Sequence, residues 1–169
     1  MTGVVRRIHH FEDEPQYVDW IPTCLFNRYM LEHPEWFGDG AHCERRPKDR
    51  CVAFTLSELS PPVTIEYRSY VDRDEFRERF PKLCLVGDIL LLDVYVRSSR
   101  GLRADGLMDA YEIARKKIGE DGSIYFMTAY PSILSEKLPA EAHMGKTFPK
   151  PTDANEIVDL LVKHFDLRP

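Results

Sequence analysis

The chain has 169 residues, 43% of them hydrophobic, and a formal net charge of -5. That size supports one domain, residues 1–169, with a core large enough to fold unaided. The acidic balance excludes a general nucleic-acid or membrane-surface binder, which needs a basic face. No run approaches the ~18 apolar residues of a spanning helix and the amino terminus lacks a signal-peptide core, so no membrane contact and a cytoplasmic location are expected.

Val4 to Ile8 reads as a short strand. The acidic Glu12, Asp13 and Glu14 before Pro15 mark a helix start, since proline's missing N–H costs nothing there. Val18, Ile21, Leu25 and Tyr29 form an apolar stripe up to about Glu32, and Pro22 predicts a kink or two short helices. Residues Gly38 to Arg50 are rich in turn formers and read as an exposed loop. Cys51 to Ser57 and Val63 to Val71 read as strands. In the second, Val63, Ile65 and Tyr67 alternate with Thr64, Glu66 and Arg68, as in an antiparallel strand wet on one side.

Asp72 is placed to cap a helix through Phe80, stopped by Pro81. Leu83 to Val86 and Ile89 to Val96 flank Gly87-Asp88, a linker of the kind that closes hairpins. The run ILLLDVYV is otherwise apolar, as in a central strand covered on both faces, so Asp93 is conspicuous. Leu107, Ala110, Tyr111, Ala114 and Ile118 lie at helical spacing, and Gly119 suits the helix end. Ser123 to Tyr130 is a further strand, and the crossover rule makes it a parallel neighbour of the strand from Ile89. Pro131 to Leu138 reads as a short helix, Ala140 to Pro151 as irregular or strand-like, and Asp153 or Asn155 opens a last helix.

The sequence Asp93-Val94-Tyr95-Val96-Arg97, then Arg100-Gly101, then Leu107-Met108-Asp109-Ala110, together with the order of elements, resembles the GNAT superfamily of N-acyltransferases. The resemblance implies an α+β domain: a mixed, mostly antiparallel twisted sheet flanked by helices, with one parallel strand-helix-strand unit. It implies transfer of an acyl group, acetyl in the first instance, from acyl-coenzyme A to an amine of a small molecule or protein. The sheet would splay after Val96. Val94, Tyr95 and Val96 would meet the pantetheine arm, and Arg100, Gly101, Leu102, Arg103, Ala104, Asp105 and Gly106 the pyrophosphate. Arg103 and Asp105 stand where the family's loop carries glycine or another small residue.

Asp93 and Glu66, the latter on an adjacent antiparallel strand, are then candidate bases, and Tyr130 the candidate acid. Asp93 reads equally as a strand carboxylate facing an arginine. The alternative is a catalytically inactive protein-binding module of the same fold, and a homodimer is one arrangement open to either.

Two further motifs carry less. Ala140 to Thr147 (AEAHMGKT) matches a loose P-loop expression but precedes Phe148-Pro149, which cannot begin the required helix. His42, Cys43 and Cys51, even with His9, His10 or His33, lack the spacing of a zinc ribbon or finger. With Cys24 and Cys84 the cysteines read as reduced thiols, and no metal site is assigned.

Overall fold

The computed structural model describes residues 3–12, 14–94, 97–98, 101–102, 105–119 and 123–165. Strand β1 (Val4–Phe11) lies at the middle of a seven-stranded sheet and pairs in parallel with β4 (Val63–Tyr70) on one side and β5 (Ile89–Asp93) on the other. Beyond β5 the sheet continues in parallel through β8 (Ser123–Thr128) and β9 (Thr147–Pro149). Beyond β4 it is extended antiparallel by β3 (Cys51–Leu56) and β2 (Glu44–Arg46), the latter formed inside the expected loop. Residues Arg97–Ser98 (β6) and Gly101–Leu102 (β7) pair as a separate small ribbon.

The α+β composition and the mixed sheet between helices agree with expectation, but the balance of strand directions does not. Among the described residues four of the six neighbouring pairs in the main sheet are parallel, so it is not mostly antiparallel. The cause is β1. Its return to β4 passes through α1 (Pro15–Glu32) and the β2–β3 ribbon, and α2 (Arg73–Leu83) carries the chain across β1 to β5, connections long enough to bring strands back in the same direction. Numbered along the chain, the five parallel strands lie in the order 2-1-3-4-5, a common order of doubly wound sheets.

Helices cover both faces. On one, α1 and α6 (Ala154–Phe165) close over Ile8, Ile65, Tyr67, Ile89 and Leu91 with Tyr17, Ile21, Leu25, Tyr29, Ile157 and Leu161. On the other, α2, α3 (Asp105–Ile118) and α4 (Pro131–Lys137) cover Phe11, Leu90, Leu92 and Phe126 with Phe76, Phe80, Leu107, Ala114 and Leu134. Each fully buried aromatic or leucine side chain contributes about 1.5–3 kcal/mol by leaving water. A short α5 (Ala140–His143) precedes β9. No helix among the described residues is long and apolar enough to cross a membrane.

Local departures have local causes. Helix α1 runs unbroken through Pro22, which is buried, and Thr23 Oγ1 donates to Asp19 O at 2.9 Å within the turn that the proline loosens. Asp72 caps α2 as expected, accepting the Glu75 amide at 2.8 Å, but the helix continues through Pro81 to Leu83. No hairpin forms around Gly87. Its φ of +91° turns the chain from α2 into β5, with Leu85 and Val86 exposed.

Candidate functional site at the carboxyl ends of the parallel strands

The helix assignment reverses at β1: α1 lies on one face, α2 and α3 on the other. At such a switch point the loops leaving adjacent parallel strands separate and open a crevice at the strands' carboxyl ends. Glu12 follows β1 there, Asp93 ends β5, Thr128 ends β8 and Lys150 follows β9. All four are buried or nearly so.

Lys150 is the hub. Its Nζ lies 2.6 Å from Glu12 Oε2 and donates to Asp93 Oδ2 at 2.9 Å, with Glu14 Oε1 at 3.8 Å. The ammonium sits 4.9 Å from the centroid of the buried Tyr17 ring, close enough for a cation–π attraction. The Lys150–Pro151 peptide bond is cis. Burial opposes the lysine's charge, but Asp93 and Glu12 outweigh it and hold the pKa above the ordinary lysine value.

Glu12 is 0% exposed. Burial first, then the neighbouring Asp93 charge, push its pKa well above the usual carboxylate range, and Lys150 offsets this only in part. Oε1 accepts the Glu14 amide at 3.0 Å, which ties the carboxylate to the start of α1. Oε2 has Lys150 beside it but no directed hydrogen bond, and 3.8 Å away the buried His10 Nε2 also has none. The other nitrogen of His10, Nδ1, is hydrogen-bonded to the Tyr67 hydroxyl. Burial, reinforced by the Lys150 charge, lowers the His10 pKa to about 3, so the ring is neutral. The unpartnered His10 Nε2 faces the Glu12–Lys150 ion pair, with the Asp93 carboxylate beside it. Such an arrangement suits a small polar ligand or a cation better than it suits an apolar core.

Thr128 Oγ1 accepts the Tyr130 amide at 3.0 Å. Next to the cluster, Gln16, Tyr17, Trp20, Pro151, Thr152, Asp153 and Asn155 line an open depression of ≈ 650 Å³.

Of the residues singled out from the sequence, only Asp93 belongs to this cluster. Glu66 is not on an adjacent antiparallel strand. Strand β1 intervenes, and Glu66 pairs in register with Arg7 whereas Leu92 pairs with Phe11, which puts Glu66 roughly 20 Å from Asp93. Its carboxylate is taken up by arginines, accepting from Arg7 Nε at 3.2 Å and Arg68 at 2.9 Å. Tyr130 is 59% exposed at the start of α4.

The expected cofactor segment divides. Tyr95, Val96, Arg100, Arg103 and Ala104 lie outside the described residues. Gly101 and Leu102 form β7, Asp105 and Gly106 open α3, and the Val94 amide is bonded to Met127 O at 3.3 Å. Strands β5 and β8 therefore remain joined through Val94, and Val96, after which the sheet was expected to splay, lies outside the described residues.

Sequence reasoning passed over Glu12 and Lys150 as functional groups and weighed His10 only as a partner of a His42, Cys43 and Cys51 metal cluster. Glu12 looked like an ordinary helix-start acid and Lys150 stood in an irregular stretch. Only Asp93 closes an apolar run; the strand before Glu12 carries Arg6, Arg7, His9 and His10, and the one before Lys150 is just Thr147–Pro149, so neither announced itself.

No protein-family model matches the chain, and no curated protein matches it.

Proposed function

We propose that Asp93 accepts a phosphoryl group, making the protein a reversibly phosphorylated domain. The observation that carries this reading is the Lys150 ammonium held between the Asp93 and Glu12 carboxylates at the carboxyl ends of parallel strands. A carboxylate is already deprotonated at neutral pH and attacks phosphorus without a general base, as in other aspartyl-phosphate chemistry. Catalysis of that transfer is positioning and charge neutralisation, and a buried lysine beside the nucleophile supplies both.

In the reaction an Asp93 carboxylate oxygen forms a bond to phosphorus. The donor's bond to phosphorus breaks, and its electron pair leaves with the donor's leaving group, which takes a proton from solvent. The product is an acyl phosphate, so the donor must itself be energy-rich: another acyl phosphate or a phosphoramidate, not an ordinary phosphate ester. Lys150 pairs with phosphoryl oxygens once Asp93 is phosphorylated. Thr128, whose oxygen is engaged as an acceptor, has its hydroxyl hydrogen to donate to the same group.

The Glu12 and Asp93 carboxylates, both hard oxygen donors at the same strand ends, fit a magnesium ion, which would neutralise charge on the incoming phosphoryl oxygens. Hydrolysis of the acyl phosphate would reset the protein. The open depression beside Tyr17 and Trp20 leaves room for the donor to approach.

Acyl transfer from acyl-coenzyme A is the second reading, supported by the local sequence resemblance around Asp93. Thermal denaturation separates the two, because a ligand of the native state raises its stability. Magnesium with beryllofluoride, a mimic of a carboxyl-bound phosphoryl group, should raise the melting temperature, and Asp93→Asn should abolish the rise. A rise with acetyl-coenzyme A and none with magnesium and beryllofluoride would overturn the phosphoryl reading in favour of the acyl one.

A further inference from the structure

At the amino end of β5, on the face covered by α2, a second polar cluster is buried around His9 in the carboxyl half of β1. His9 Nε2 lies 3.1 Å from Asp88 Oδ2, and the Cys84 thiol is close by. The three ligand-type atoms all fall within 4.8 Å of one another. They come from three elements: the central strand, the C-terminal end of α2 and the turn into β5. Each is 5% exposed or less.

We propose that His9, Cys84 and Asp88 form a zinc-binding site that clips α2 and the following turn to the central strand. The ligand set is the first reason. Imidazole, thiolate and carboxylate together match zinc, whereas magnesium and calcium take oxygen alone. Size is the second. Bonds of about 2.0–2.3 Å in a tetrahedral site put the ligand atoms roughly 3.3–3.8 Å apart, so the His9–Asp88 edge is nearly formed and the cluster need close by only about 1 Å.

Second-sphere support is the third reason. His9 Nδ1 is hydrogen-bonded to the Tyr70 hydroxyl at 2.8 Å, and Asp88 Oδ2 accepts the Leu85 amide at 2.7 Å. A zinc-bound histidine is usually oriented in this way through its other ring nitrogen, and its carboxylate co-ligand is likewise held. Charge is the fourth. A divalent ion with one thiolate and one carboxylate is neutral overall, which is what a buried site requires. The segment 84–88 lies over the cluster with Leu85 and Val86 exposed, giving metal and a fourth-ligand water a short path in. On binding, the Cys84 S–H bond breaks, sulfur keeps the electron pair for zinc, and the proton passes to buffer. No oxidation is involved.

The proposal is independent of the phosphoryl reading, because these residues share none with the Lys150 cluster. Purified protein incubated with zinc and desalted should retain one zinc per chain. Cobalt in its place should show a thiolate-to-metal charge-transfer band that Cys84→Ser and Asp88→Asn remove and Cys43→Ser leaves intact. Tyr70→Phe should weaken zinc about 10–100-fold.

Should the site variants fail to fold, alkylation of the native wild-type protein followed by peptide mass spectrometry tests the same point: zinc should protect Cys84 while Cys24 and Cys43 react as before. No retained zinc, a cobalt band that survives Cys84→Ser, or alkylation of Cys84 unchanged by zinc would overturn the assignment.

Discussion

Lys150 reaches past the end of β8 to place its Nζ 2.9 Å from Asp93 Oδ2, two strands away in the sheet. The pair is buried, with 9% and 4% of the side chains exposed, and Glu12 completes it from β1. Removing the lysine leaves two carboxylates facing each other in a poor dielectric. Lys150→Met should therefore destabilise the protein by about 3–5 kcal/mol, read from urea unfolding near pH 8. Because Glu12 has a raised pKa in the folded state, it keeps a proton there that the unfolded chain has lost, so the loss should shrink toward pH 5. An equal loss at both pH values would show that the cluster's charges are not coupled.

His10 gives a second pH effect of opposite sign. Its folded pKa of about 3 lies below the ordinary 6.5, so below pH 6.5 the unfolded state binds a proton that the folded state refuses. The stability contribution is complete above pH 6.5 and is lost as pH falls towards 3, at up to about 1.4 kcal/mol per pH unit. His10→Gln should flatten the stability profile over that window relative to wild type. Parallel profiles would mean that His10 is charged in the folded protein.

Glu66 provides a negative control. It is held by Arg7 and Arg68, with β1 between it and Asp93. Glu66→Gln should leave the response to magnesium and beryllofluoride within error of wild type. Loss of that response in a folded variant would place Glu66 in the chemistry after all.

The start of α2 depends on one cap. Asp72 accepts the Glu75 amide, and Glu75 Oε2 accepts the Val71 amide at 3.2 Å in return. Asp72→Ala should cost about 1 kcal/mol, with Asp72→Ser close to wild type, as measured by chemical denaturation.

What the sequence disclosed follows from where its hydrophobic periodicity was undisturbed. Strands β3, β4 and β8, the amphipathic α3 and the Asp72 cap were legible because apolar spacing and turn residues agreed there. Strand β1 was shortened to Val4–Ile8 because His9 and His10 interrupt its apolar run. Yet both are buried, one satisfied by Tyr70 and Asp88, the other bonded through Nδ1 to Tyr67, and these long-range partners cannot be seen locally. Missing the centre of the sheet also lost its parallel character and placed Glu66 beside Asp93. Lys150 was equally hidden: 57 residues separate it from Asp93, and only the strand order brings them together.

The central claim is that Asp93 is a phosphoryl acceptor, and peptide mass spectrometry after incubation with magnesium and acetyl phosphate or phosphoramidate tests it most directly. The expected result is one added phosphoryl group per chain, mapped to Asp93, labile to hydroxylamine as an acyl phosphate must be. It should be absent from Asp93→Asn and strongly reduced in Lys150→Ala. An unmodified wild-type protein, or modification that persists in a folded Asp93→Asn variant, would contradict the account.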